Sequence, residues 1–231
     1  NIYDESDDYV VAALGRAARE AAGGRDIVIV AENEPQDSDL VRRLEQGGAG
    51  LDGVWNDDLH HSAMVAATGR NEFYYADFEG SPQEFVSAAK YGYLFQGQTY
   101  GGHNGPRGVL ALDLKPEAFV TFVQNHDQVG NAARGWRLHQ LTSHPRARAL
   151  TALSLLMPGT PMLFQGQEFW ASTPFLYFAD HHPELAALVR RGRHDYMANF
   201  ASLATPSGQK QLADPESEDT FLRCKLDWRE A

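Results

Sequence analysis

Two carboxylates in this chain follow apolar runs that turn abruptly polar, which is where acid-base chemistry is expected. In Asp26 to Pro35, DIVIVAENEP, the stretch Ile27 to Ala31 runs into Glu32, with Glu34 close behind. In Ala118 to Asn131, AFVTFVQNHDQVGN, Phe119 to Val123 run into Gln124, Asn125, His126, Asp127 and Gln128. Carboxyl groups meeting at one rim can share bond cleavage, provided their surroundings push their pKa values apart. Glu32 follows Val28, Ile29 and Val30, so partial burial beside another carboxylate would raise its pKa toward that of an acid catalyst. Glu34 competes for the role on these grounds alone.

A third run, Leu51 to Asn56, LDGVWN, exits into Asp57, Asp58, His60 and His61. Trp55 then stands at a strand end, where its face could stack on a pyranose ring. Asp57 and His60 suit sugar contact or loop hydrogen bonding. A metal centre is not expected from this cluster, because adjacent histidines do not readily place both rings on one ion and no cysteine or spaced histidine completes a set. Gly101, Gly102, Gly105 and Gly108 read as turns, since neither a GxGxxG nor a GK[ST] pattern accompanies them.

The elements that must position these residues follow from periodicity and punctuation. Apolar runs without strict alternation suit parallel strands covered by helices, and in a barrel of such strands the C-terminal ends carry the active site. Strands are predicted at 27–31, 51–56, 119–123 and 161–165. Helices are predicted at Asp4 to Ala22, Ser38 to Gln46, from Ser81-Pro82 to about Phe95, Pro145 to Met157 and Glu184 to Leu203, with a long ordered loop from Asp57 to Gly80. The order αβαβαβαβα is an α/β arrangement equal to half of a (β/α)8 TIM barrel. Half a barrel leaves strand edges unpaired, so a fragment incomplete at both ends of a longer enzyme is expected. Thr205 to Glu218 reads as a polar connector, and Thr220 to Trp228 as the start of another element.

Totals narrow the partners. The 231 residues, 43% hydrophobic and 11% aromatic, can bury a sizeable core. A formal charge of -11 and a pI near 5.2 argue against nucleic acid and anionic membranes and favour a neutral substrate. One cysteine, Cys224, excludes an intrachain disulfide and fits a reducing compartment, so a cytoplasmic protein is expected. No apolar run approaches membrane-spanning length and no signal peptide opens the sequence.

On these residues the chain resembles the α-amylase clan of glycoside hydrolases. Asn125-His126-Asp127 matches the clan's motif at the end of the seventh barrel strand, and Ala31-Glu32 the motif ending the fifth. Longer strings resemble a subgroup acting on malto-oligosyltrehalose: WNDDLHHS at Trp55 to Ser62, GRNEFYYADFEG at Gly69 to Gly80, QNHDQVGNAARGWRL at Gln124 to Leu138 and PFLYFADHHPEL at Pro174 to Leu185.

The resemblance implies that residues 1–204 are the C-terminal half of the catalytic barrel, strands five to eight, and that 205–231 lead toward a C-terminal β domain. It implies a retaining mechanism with Glu32 as general acid/base, Asp127 as a third carboxylate favouring the oxocarbenium-like transition state, and His126 at the sugar being cleaved. Asn125, Gln128, Trp55, Asp57 and His60 are expected at the substrate, a malto-oligosyltrehalose or related α-glucan, with no cofactor and no metal. The nucleophilic aspartate is expected just before Asn1, so the isolated chain should be inactive, since retention needs two carboxyl groups about 5 to 5.5 Å apart.

One departure is Gln165-Gly166-Gln167-Glu168, where two consecutive acids after the glycine are expected; it bears on electrostatics there and not on catalysis. Glycogen branching or debranching is the nearest alternative, although NHDQVGN without a serine in the asparagine's place, and the YYADF string, speak against branching. A non-catalytic glucan-binding half is the alternative from another class.

Overall fold

The computed structural model describes residues 2–4, 6–101 and 105–231. Gly102, expected in a turn, lies outside them, as does Glu5 of the first expected helix. Helix α1, Val10–Ala22, is built from alanine, leucine, arginine and glutamate and stops at Gly23, which takes the left-handed conformation, as good helix formers closed by a glycine should. It starts later than the acids suggest. The Asp4 carboxylate accepts backbone N–H groups of Ser6 (3.0 Å) and Val10 (2.6 Å), so it caps the helix from outside.

The first strand, β1, is Val30–Ala31, shorter than the expected 27–31. It lies at a sheet edge, and Val28 beside it is 78% exposed. The expected helix over 38–46 is instead two 3-10 turns, Ser38–Val41 and Leu44–Gln46. Extended backbone at Arg42 and Arg43 separates them. Arg42 reaches across to Asp113 (2.9 Å) and the Leu110 carbonyl (2.7 Å), and Gly48 packs so tightly on Arg42 that an added Cβ would collide with its carbonyl oxygen. These tertiary contacts outweigh local helix propensity.

Strand β2 is Gly53–Trp55, and α2, Asp57–Thr68, begins where a loop was expected. Asn56 accepts the Leu59 N–H at 3.3 Å while donating to the Gly92 carbonyl at 2.6 Å, which caps the helix and ties its start to the next one. DDLHHSAMVAAT is buried on nearly every side and has no polar face, so the amphipathic signal that betrays most helices is absent. Helix α3, Pro82–Tyr91, starts as predicted, with the Glu84 carboxylate accepting the Ser81 and Glu79 N–H groups at 3.1 Å and 2.8 Å, the glutamate's side of a capping box. It ends earlier than expected at Gly92 (φ +85°), where an added Cβ would lie 2.5 Å from the Phe119 ring. Only glycine satisfies both the backbone angle and the space.

A hairpin of β3, Thr99–Tyr100, and β4, Gly105–Pro106, leads to β5, Phe119–Thr121. Then come α4, His126–Gly130, α5, Leu138–Leu141, and α6, His144–Leu156. Strand β6 is reduced to Thr160–Pro161, and α7, Pro183–Met197, is shorter than the expected run to Leu203. The expected connector contains α8, Pro206–Gln209, and α9, Glu218–Cys224, occupies the last predicted element. This terminal stretch packs back on the body: the Leu176 N–H lies 3.0 Å from Cys224 Sγ, and the Glu230 carboxylate accepts the Ser172 N–H at 2.8 Å.

Strands β1, β2, β5 and β6 form one parallel sheet in that order, with Val30 opposite Gly53, Val54 opposite Phe119 and Val120 opposite Thr160. The expected simple alternation is not kept. Among the described residues no α-helix joins β1 to β2, two α-helices and a hairpin join β2 to β5, and three α-helices join β5 to β6. Ala12, Leu40, Val54, Tyr93 and Phe119 pack in one core, and Ala63, Val123, Leu138 and Leu150 in another. No helix among the described residues is long and apolar enough to cross a membrane.

Asp58 and Arg107 hold the rim above this sheet, and both side chains are wholly buried. Asp58 Oδ1 accepts from Arg107 Nε at 2.9 Å and from Gln36 Nε2, while Oδ2 accepts the Leu94 and Phe95 N–H groups at 3.0 Å and 2.8 Å. Arg107 also pairs with Glu34 and lies 4.8 Å over the Tyr100 ring, a cation held against an aromatic face. Removing one partner of a buried pair strands the other, so Asp58→Ala or Arg107→Ala is expected to lower unfolding free energy by about 3–5 kcal/mol in urea denaturation.

Candidate active site

Three neighbouring parallel strands deliver the polar residues. β1 ends at Ala31 and is followed by Glu32; β2 ends at Trp55; β5 leads through Phe122 and Val123 to Asn125. Asn125 is extended, and its Oδ1 accepts the Asp127 and Gln128 N–H groups at 3.0 Å and 3.2 Å, which caps α4. That cap turns the chain so that His126 and Asp127 project from the helix's first turn.

His126 Nε2 lies 3.7 Å from Glu32 Oε1 and 3.5 Å from Asp127 Oδ1, and one polar atom from each of the three falls within 4.8 Å of the others. Glu32, His126 and Asp127 are thus brought together at an open rim, with side chains 45%, 48% and 55% exposed. The spacing is also one that a cation could bridge. Trp55 supports the group from the side, its ring meeting those of Phe122 at 5.2 Å and His126 at 5.8 Å edge-on, a favoured arrangement of aromatic quadrupoles. Glu34 is held by Arg107 and not by His126, which separates the two competing glutamates.

Burial sorts the carboxyls. Partial desolvation raises the Glu32 pKa; the neighbouring Asp127 adds to this through charge and a hydrogen bond, and His126 opposes it. Asp57, almost wholly buried in the first turn of α2, is pushed up to about 7, chiefly by burial, with Arg107 opposing and Asp58, Glu34 and Glu32 adding repulsion. Gln128 links it to the rim, its Nε2 donating to Asp57 Oδ1 at 3.4 Å.

Three of the residues expected at the substrate, Asp57, Asn125 and His60, are buried in the fold. Asn125 is buried and its oxygen is committed to the cap. His60 is wholly buried: Nδ1–H donates to the Val123 carbonyl at 2.9 Å, so Nε2 accepts from the Tyr75 hydroxyl at 3.2 Å, the first bond fixing the tautomer that the second requires. Burial pulls its pKa down to about 4, which keeps it neutral. His61 is likewise buried, against Tyr74, Tyr75 and Phe78, with its pKa held well below the usual range by burial and then by His60 and Arg107. Gln167, the departure from two acids, is buried and accepts the Phe164 N–H at 3.2 Å through its uncharged amide.

Sequence reasoning missed Arg107 and Arg193. Arg107 sits in a glycine-rich loop with no periodic signal. Arg193 donates to Asn131 Oδ1 and the Gly130 carbonyl, closing the C-terminal end of α4 and so steadying His126 and Asp127 from below. Nothing in its helical neighbourhood distinguishes it from a solvated arginine.

No protein-family model matches the chain. It is 37% identical over 229 residues to the malto-oligosyltrehalose trehalohydrolase of Deinococcus radiodurans, covering 98% of this chain and 36% of that protein. It is 36% identical over 236 residues to the enzyme of that name from Mycobacterium tuberculosis, covering all of this chain and 40% of that protein. The chain is a relative of the malto-oligosyltrehalose trehalohydrolases. A Saccharolobus solfataricus trehalohydrolase, 35% identical over 205 residues, extends the same relationship. The chain spans somewhat over a third of the length of the trehalohydrolases from Deinococcus and Mycobacterium. A Salmonella typhimurium crystal structure described as a putative alpha amylase superposes with a TM-score of 0.86 at 38% identity, over 99% of this chain and 38% of that one. The parallel sheet with its helices is therefore an α/β fold shared with that protein.

The folded Asp57 pKa, about 7, lies above its ordinary value of 3.8, so the folded state holds this proton more tightly than the unfolded chain. Stability from this group is present at low pH and falls as pH rises from about 4 to about 7. Asp57→Asn removes that slope. The variant should gain on the wild type by about 2–3 kcal/mol between about pH 5 and about pH 8 in paired urea titrations.

Proposed function

We propose that this chain is the part of an α-glucan hydrolase that carries its acid/base and third carboxylate, cleaving the α-1,4 bond next to a terminal trehalose and releasing trehalose. The observation that carries the reading is the meeting of Glu32, His126 and Asp127 at the ends of strands far apart in the sequence. The names of its relatives, at 34% to 37% identity, supply the substrate class.

In this reading Glu32, its proton affinity raised by partial burial and Asp127, protonates the glycosidic oxygen and later takes a proton from water. Asp127 stays at the exposed rim, where its carboxylate accepts sugar hydroxyls and favours positive charge developing at the anomeric carbon. His126, between them, donates toward the sugar being cleaved, while Trp55 offers a ring edge and Gln128 an amide. The nucleophile comes from polypeptide ahead of Asn1. The four parallel strands then stand as strands five to eight of a (β/α)8 barrel over residues 1–204, with 205–231 leading toward a further domain.

In the full-length protein, Glu32→Gln is expected to lower kcat for trehalose release roughly 10²–10⁴-fold with KM little changed. Asp127→Asn should lose as much with the fold intact by circular dichroism. The chain of 231 residues alone should release no trehalose from malto-oligosyltrehalose; steady release by that chain, or full activity of the Glu32→Gln enzyme, would overturn the assignment.

A further inference from the structure

We infer that the groove leaving Asp127 past Gln128 and Asn131 toward Trp136 is the path of the glucan chain, and that Trp136 with Arg134 forms a remote sugar-binding position that sets chain-length preference. This rests on the proposed function. A recess of about 270 Å³ opens at Asp127 and Glu34, and a larger one of about 530 Å³ reaches Trp136. The two share Tyr74, Gln128 and Asn131 as lining, so they adjoin at these residues on the way outward from Asp127.

The lining has the chemistry of a sugar track. Trp136 provides an aromatic face for the C–H face of a pyranose, the packed Tyr74 contributes to the apolar wall, and Gln128, Asn131, Arg134 and Gln211 provide planar polar groups suited to neighbouring hydroxyls. The outer recess is large enough for more than one hexose ring.

Trp136 remains 41% exposed on a rigid mount. Gly135 before it has φ +61° and packs against Phe175, where an added Cβ would collide with the carbonyl oxygen, so only glycine fits. Arg137 after it is wholly buried and anchored on the carbonyls of Thr173 (2.7 Å) and Gln165 (2.6 Å). The Arg134 guanidinium lies 4.8 Å from the indole centroid and is itself held by Gln211 at 2.9 Å, within range for attraction to the ring face. A large aromatic presented to solvent between two anchored neighbours loses little freedom when a ring stacks on it, which is the condition for a preformed binding platform.

The test uses the full-length protein in a Glu32→Gln background, so that substrate is bound and not consumed. Calorimetric titration with linear α-1,4-glucans from maltotriose to maltoheptaose should show affinity rising with length. Adding Trp136→Ala should weaken the longest glucans by about 5- to 10-fold and leave maltotriose unchanged, with Trp136→Phe restoring most of the loss. Equal losses at every length, or none, overturn the inference while leaving the proposed function standing. Failure of the Glu32→Gln protein to bind any glucan overturns the proposed function and the inference with it. If Trp136 is covered by the protein's own polypeptide, Trp136→Ala lowers the melting temperature without altering the length dependence, which also overturns it.

Discussion

The buried Arg107–Asp58 pair is the constraint on which the rim depends. Two charges removed from water are tolerable only if nearly every donor and acceptor finds a partner. Asp58 meets that demand by drawing in Gln36 from the turn after β1, the backbone of Leu94 and Phe95 after α3, and Arg107 after the β3–β4 hairpin. Segments distant in sequence are tied at one carboxylate. Arg107 extends the tie to Glu34, just beyond Glu32, so the loop carrying the acid is anchored to the cation that completes the pair.

Depth then differentiates the acids above the sheet. Asp57 lies almost wholly buried, Glu32 is half-buried and Asp127 stands at the rim, so neighbouring carboxyls face different dielectric surroundings, and burial raises the pKa of Asp57 and of Glu32. His126 is shared between the two outer ones, and the buried imidazoles of His60 and His61 stay neutral beneath them. A cationic histidine layer under the site would draw protons off the carboxyls. Burial of these rings among Tyr74, Tyr75 and Phe122 prevents it.

The short α4 links the carboxylates to the outer groove. Asn125 fixes its start and Arg193 its end, and the chain leaving it runs through Asn131 to the Gly135–Arg137 anchor. One continuous stretch thus places an acid at the reaction centre and an indole farther along the same wall. Rigidity at both ends, from a cap and from a buried arginine, lets these positions keep their spacing without a long regular element.

By itself the sequence determined the strands' order and direction and the identity of the rim residues, because apolar runs ending in Glu32, Trp55 and Asp127 carry both signals in adjacent residues. The starts of α3 and α6 were legible too, from proline in the first turn and, for α3, a glutamate able to close back on Ser81. Tertiary structure alone decided what local pattern could not encode. Helix α2 has no polar face to reveal it, and the turns at 38–46 yield to Arg42 and Gly48. Asn125 and His60 read as substrate contacts in the sequence, and the fold buries both, committing the Asn125 oxygen to the cap and His60 Nδ1 to the Val123 carbonyl. The charge state of Asp57, and the role of Arg107 beside it, arise from burial beneath segments far away in the chain, and burial is a property of the folded whole.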